Sequence, residues 1–370
     1  MNNRQRFHAI MNYEGYDRMP VVHFGYWTEL LEKWVAEGHL KPEEITDIGD
    51  GTPNSNLIGD KLGFDFNYGV TYNGSVALFP AFEPKRVLEN PDGSYHYLND
   101  EGVVVLQKDG VKSIPMEIDH LLKDRSSWEE HYLPRLQHSE DRFDNNFLKQ
   151  LAEESKDRTE PMGIFCGSLF GSIRNWLGVE GSSYLYADDE ELFDEMIDTV
   201  GELAYKATKY ALGFGIEFDY AHFWEDICYK NGPLVIPSVF EEKVGPHYRK
   251  ITELLKSHGI EIVSLDCDGW IDSLLPIWFE NGVNTMFPIE VGTWDASIAP
   301  WREEYGRGLL GVGGMNKHVL AYDKAAVDAE IERLKPLMAL GGFIPCPDHR
   351  LPPDTKWELV QYYCDRMKNL

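Results

Sequence analysis

The sequence predicts an α/β chain of the (β/α)8 TIM-barrel class with a β-hairpin inserted after the second strand. Three observations carry that expectation. Short apolar stretches of strand length alternate with longer amphipathic stretches, the order of a parallel α/β fold. Eight such strands can be picked out over 370 residues, enough for one large barrel with insertions. One interval between strands is far longer than the rest and is dense in turn residues. A doubly wound open sheet is the alternative arrangement.

The strand candidates are MPVVHF from residue 19, FDFNYGV from 64, PMGIFC from 161, IEFDYAHF from 216, EIVSLDC from 261, VNTMFPI from 283, GLLGVGG from 308 and GFIPC from 342. Each is rich in β-branched or aromatic residues, or is an apolar run of strand length. Between them, 192–213 carries an apolar stripe at helical spacing and ends in Gly213, and 324–340 behaves similarly. Seven intervals separate the strand starts; they run from 22 to 55 residues except the one from Phe64 to Pro161, which is 97. Inside it lie the turn signals Pro91-Asp92-Gly93 and Asn99-Asp100-Glu101-Gly102. The expected insertion spans about 80–130, with a hairpin or three-stranded flap over 85–107 and a helical segment near 117–128. No hinge-like linker, repeat or low-complexity tract interrupts the chain, so 1–370 reads as one domain.

Composition narrows function. With 35 basic and 62 acidic residues the formal charge is −27. Neutralising phosphates needs a Lys/Arg surplus, so nucleic acid and anionic lipid surfaces are excluded as general partners. The five cysteines Cys166, Cys228, Cys267, Cys346 and Cys364 are far apart and form no CxxC, which argues against a disulfide framework or zinc ribbon. The opening residues lack the apolar stretch of a signal peptide, and no run of 18 apolar residues exists to span a bilayer; a cytoplasmic protein is expected.

In a barrel of this class the chemistry sits at the C-terminal ends of the strands. Those ends supply His23 and Tyr26; Tyr68 and Tyr72; Cys166 and Ser168; His222, Trp224, Glu225 and Asp226; Asp266, Cys267 and Asp268; Glu290; Asn316 and Lys317; and Cys346, Asp348 and His349. Carboxylates, imidazoles and thiols with few cations suit a borderline-soft divalent metal better than an anionic ligand. The Gly313-Gly314 pair reads as a tight turn and not a phosphate loop, since no Gly-x-x-x-x-Gly-Lys follows.

Several segments resemble the uroporphyrinogen decarboxylase superfamily, in order and almost end to end. They are Arg4-Gln5-Arg6-Phe7 with Asp17-Arg18-Met19-Pro20-Val21, then Asn231-Gly232-Pro233-Leu234, then Gly313-Gly314-Met315-Asn316-Lys317, and finally Pro347-Asp348-His349-Arg350-Leu351-Pro352-Pro353-Asp354-Thr355. The resemblance implies a (β/α)8 fold. It also implies one of two activities: porphyrinogen decarboxylation, or zinc-dependent methyl transfer with a corrinoid protein. The decarboxylases place arginines directly after the first strand, because Arg offers each substrate carboxylate a bidentate fork. Here that stretch is His23-Phe24-Gly25-Tyr26-Trp27-Thr28, without a cation.

The methyltransferase branch is therefore the closer resemblance. It implies a zinc site with a His-x-Cys pair after strand five and a second Cys before the Pro-Pro motif of strand eight. Cys267 matches the first cysteine, Leu265 stands where the His would be, and His349 stands where the second cysteine would be. The expected ligand set is Glu225, Cys267 and His349, with Cys267 and His349 sharing one metal position. Asp266, Asp268 and Glu290 are substitutes for the carboxylate. Zinc would act as a Lewis acid on a poor leaving group, favouring an O- or N-linked methyl donor. The cobalamin acceptor would sit on a separate corrinoid protein, since this chain lacks the Asp-x-His-x-x-Gly signature of a cobalamin module. The alternative is a decarboxylase or other lyase on a smaller carboxylated substrate, with His222, Asp266 and Asp268 doing acid–base work.

Overall fold

The structure, a computed structural model, describes residues 1–110 and 115–370. In chain order the strands are β1 (Val22–His23), β2 (Phe66–Asn67), β3 (Thr71–Tyr72), β4 (Lys85–Glu89), β5 (Ser94–Leu98), β6 (Val103–Lys108), β7 (Met116–His120), β8 (Gly163–Gly167), β9 (Tyr220–Trp224), β10 (Cys228–Tyr229), β11 (Gly232–Pro233), β12 (Val263–Asp266), β13 (Thr285–Ile289), β14 (Leu310–Met315) and β15 (Phe343–Pro347). Seven of these form one parallel sheet in the order β15-β14-β13-β12-β9-β8-β3. Every residue of β13, β14 and β15 is buried, which is why TMFPI, LGVGGM and FIPCP read as unbroken apolar runs instead of alternating.

Helices return the chain between strands. Glu190–Leu212 starts at Asp189, whose side chain accepts from Leu192 N–H, and buries Leu192, Met196, Val200, Leu203 and Ala207 at helical spacing. Lys324–Met338 starts the same way at Asp323. Both lie where the apolar periodicity placed them. No helix among the described residues is long and apolar enough to cross a membrane.

The first strand pairs with the second in parallel, Val22 opposite Phe66. Beyond β1 the chain meets the chain beyond β15: Tyr26 bridges Leu351, Leu351 N–H donates to Gly25 O at 3.1 Å, and Trp27 N–H donates to Leu351 O at 3.1 Å. Gly313 and Gly314 lie inside β14 and not in a turn. At φ +125° Gly313 sits against the β13 backbone, and a Cβ there would collide with Ile289 N.

Residues 85–120 form a separate antiparallel sheet in the order β4-β5-β6-β7; positions 111–114 of this expected insertion lie outside the described residues. Its turns are built as the turn residues suggested. Asp92 accepts from Ser94 N–H and O–H, and Asn99 Oδ1 accepts from the N–H groups of Glu101 and Val103. Where helix was expected near 117–128, Met116–His120 is the fourth strand and the only helical turn begins at Arg125.

Candidate active site at the strand ends

Glu225 follows β9 and is fully buried, but it faces away from any open site. Its carboxylate accepts from Ser168 Oγ at 3.0 Å and from the N–H groups of Leu169 at 3.0 Å, Phe170 at 3.0 Å and Gly171 at 2.5 Å, with Tyr248 Oη as a further donor. These amides open the helix Gly171–Asp188, so the carboxylate closes a helix N-terminus. Its lone pairs are occupied and it is no metal ligand.

Cys267, after β12, is buried against the thiol of Cys228, and burial, then Cys228, pushes it well above the ordinary thiol range. His349, after β15, is partly exposed and reaches Asp268 instead, Nε2 to Oδ2 at 3.3 Å. The expected set of Glu225, Cys267 and His349 is thus not assembled. Among the described residues no group of three His, Cys, Asp or Glu side chains is placed to hold a metal ion. The donors present do not fit zinc, and no step here is routed through it.

The structure gathers instead four strand-end carboxylates, one of which, Asp268, meets His349. Asp266 ends β12, Asp268 is two residues on, Asp226 follows β9, and Glu290 follows β13. Burial raises the Asp266 carboxyl well above the ordinary carboxylate range; the charges of Asp268, Asp226 and Glu290 add to this and Arg350 opposes it. Burial, then Asp268, raises Asp226 and Glu290 as well. Glu290 is fixed by Gly269 N–H at 2.6 Å and Thr293 Oγ1 at 2.8 Å. Asp226 has φ +50°, a backbone region non-glycine residues seldom occupy, and Arg174 donates to its carbonyl at 2.7 Å.

Aromatic rings wall the His349 side. Trp27 stacks on its imidazole with centroids 5.8 Å apart and planes 15° apart, and Phe24 meets it edge-on at 5.5 Å. Phe24 in turn packs on Phe287 at 4.8 Å. Arg350 lies over the Phe24 ring at 5.8 Å and pairs with Asp50, Nη2 to Oδ2 at 2.8 Å. The adjacent Asp348 is fully buried and structural: it accepts from Gly292 N–H at 2.6 Å and from Lys317 N–H at 3.1 Å, tying three strand-end loops together.

His222 lies deeper. Its Nδ1 is 3.0 Å from Ser264 Oγ, its ring packs against Tyr68 and Phe287, and burial lowers its pKa to about 4. It is a packed imidazole within the strand layer, away from the His349–Asp268 pair. The sequence places Asp226 among the strand-end residues but does not pair it with Asp268, and it does not place Trp27 against His349. Nothing in the local sequence marks either, because their roles depend on loops folded from distant segments.

No family model matches the chain, and no curated protein matches it. Among solved structures, a methyltransferase from Methanosarcina mazei is similar over 100% of this chain and 98% of that one, with a TM-score of 0.60 and 15% sequence identity. At that identity the likeness is one of fold.

Proposed function

We propose that the chain transfers a methyl group from a small O- or N-methylated donor to the cobalamin of a separate corrinoid protein, at the carboxylate–His349 cluster. The observation that carries this is a cluster at the ends of different strands in which Asp268 meets His349 at 3.3 Å and Asp226, Asp268 and Glu290 lie close enough to Asp266 to raise its carboxyl. The full-length fold likeness to a methyltransferase and the sequence resemblance to the corrinoid-dependent branch support it. The reading takes the strands as a closed (β/α)8 barrel in a single domain, with the Tyr26–Leu351 bridge at the seam and the cluster at its C-terminal mouth.

Cobalamin, carried by the partner, supplies the methyl acceptor. This chain's part is to bind the donor and manage its leaving group. An alkoxide leaves badly unless a proton reaches its oxygen. Asp266, whose carboxyl burial and the neighbouring charges push toward the neutral form, is the donor of that proton. Asp268 and His349 orient the leaving atom, with Trp27 and Phe24 excluding water on that side.

The test is methylation of cob(I)alamin by the purified chain against a panel of methoxy and methylamine donors. The wild type turns over at least one donor. Asp266→Asn lowers kcat for methoxy donors by about 10²–10⁴, the usual worth of a positioned acid, while Glu225→Gln alters stability more than the pH profile. A wild-type protein inert to the whole panel overturns the reading. The protonated Asp266 also favours a second one, a lyase that protonates a carbanion after loss of carbon dioxide; carbon dioxide release from a panel of small carboxylic acids would identify it.

A further inference from the structure

We propose that the cavity beneath the inserted sheet is a binding site for a small trimethylammonium compound bearing one oxygen, of the choline type. This deepens the methyl-transfer reading and rests on it for the consequence that the bound compound is the methyl donor. The cavity has a volume of about 250 Å³ and lies between the ends of β8 and β9 and the turn joining β5 to β6. Phe165, Trp176 and Trp224 line it from the barrel side, and Asp100 and Glu101 line it from the inserted sheet.

Three observations point to that ligand. Aromatic faces beside carboxylates are how proteins hold a quaternary ammonium, which no single hydrogen bond can satisfy. The turn that carries the two acids is held in place: the backbone carbonyls of Asp100 and Glu101 accept from Phe82 N–H at 2.9 Å and Tyr132 Oη at 3.0 Å, and Asn99 holds the turn from within. Arg174 donates to the Asp226 carbonyl at 2.7 Å with its guanidinium 5.9 Å from the Trp224 ring, so it offsets one of the two formal charges of Asp100 and Glu101 and leaves the other. Burial, then Asp100, raises the Glu101 carboxyl, with Glu117 adding and Arg174 and Asn175 opposing; an ammonium partner relieves that cost.

Trp176 supplies the third observation. It is 3% exposed, it lines the cavity, and its indole N–H has no hydrogen-bond partner among the described residues. A buried donor left unmade is costly, and an oxygen on the ligand would accept from it. A bare alkylammonium would leave that N–H unmet. Arg174 links the cavity to the cluster: its guanidinium lies 5.9 Å from the Trp224 ring that lines the cavity and donates to the Asp226 carbonyl at 2.7 Å.

Calorimetry on the full chain without corrinoid protein tests this, with choline, tetramethylammonium and the neutral isostere 3,3-dimethylbutan-1-ol as probes. Choline binds about tenfold more tightly than the neutral isostere. Glu101→Gln removes that preference and leaves the isostere's affinity unchanged. Trp176→Phe weakens choline about tenfold and leaves tetramethylammonium unchanged, with near-ultraviolet circular dichroism showing both variants folded. No saturable choline binding, or an isostere that binds as well as choline, overturns the site. Choline binding with these signatures but without methyl release to cob(I)alamin upholds the site and sinks the methyl-transfer reading. Methyl release from choline with KM unchanged in Glu101→Gln does the reverse.

Discussion

Glu225 and Asp266 are both carboxylates at strand ends, yet their surroundings give them opposite tasks. Glu225 accepts from three backbone amides and two hydroxyls and closes the helix Gly171–Asp188, whereas Asp266 lies among like charges that help hold its proton in place. Glu225→Ala leaves several buried donors unmet, a loss of roughly 3–5 kcal/mol of stability read from urea unfolding. His349→Ala, at a partly exposed position, changes stability by less than about 1 kcal/mol while impairing turnover. That contrast separates a structural carboxylate from a site residue. Residue types at strand ends were readable from the sequence. Where each side chain points was not. Glu225 and His222 stand at plausible positions along the chain, but one is captured by a helix N-terminus and the other by Ser264.

The inserted sheet shows what a turn can and cannot announce. Pro91-Asp92-Gly93 and Asn99-Asp100-Glu101-Gly102 marked its first two turns because Asp and Asn side chains bond the backbone locally and Gly takes positive φ. The fourth strand, Met116–His120, carries no buried position and therefore no alternation, so its pairing with β6 alone makes it a strand. Gly102 has φ +84°, and a Cβ there would collide with Tyr132 Oη and meet Phe82 Cε2 at 2.9 Å. Gly102→Ala is expected to cost roughly 1–3 kcal/mol and to displace Glu101, read as a lowered melting temperature together with lost choline binding. On the side of the parallel sheet, Asp219, just before β9, is bonded by Arg4 and His8 of the N-terminal helix Asn3–Met11. Burial raises its pKa, but donors from His8, Arg158, Arg4 and the Met162 N–H prevail and lower it on balance. Its contribution is present above the unfolded value near pH ~4 and is lost as pH falls toward the folded one. Asp219→Asn should therefore destabilise at pH 7, by roughly 1–3 kcal/mol, and the gap to wild type should close in acid.

Charge and burial act together on the whole molecule. The strand order follows from alternating apolar and amphipathic stretches that any section of the chain displays, whereas the parallel sheet's packing places two imidazoles where water does not reach. Burial lowers His23 to about 3 and His222 to about 4. In the unfolded chain both would titrate near the ordinary value of ~6.5, so between pH 6.5 and 4 the unfolded state binds protons that the folded state refuses. Stability therefore rises with pH across this window and falls as the solution is acidified, with a slope approaching two protons, or about 2.7 kcal/mol per pH unit. A formal charge of −27 works at the other end: at neutral pH the carboxylates repel one another, and added salt screens that repulsion. Urea midpoints should rise with sodium chloride at pH 7 and drop from pH 6.5 to 5 at fixed salt. Replacing both His23 and His222 with Asn should flatten the pH dependence without removing the salt effect. If the double variant keeps the wild-type slope, the acid sensitivity belongs to other groups and the buried imidazoles are not its source.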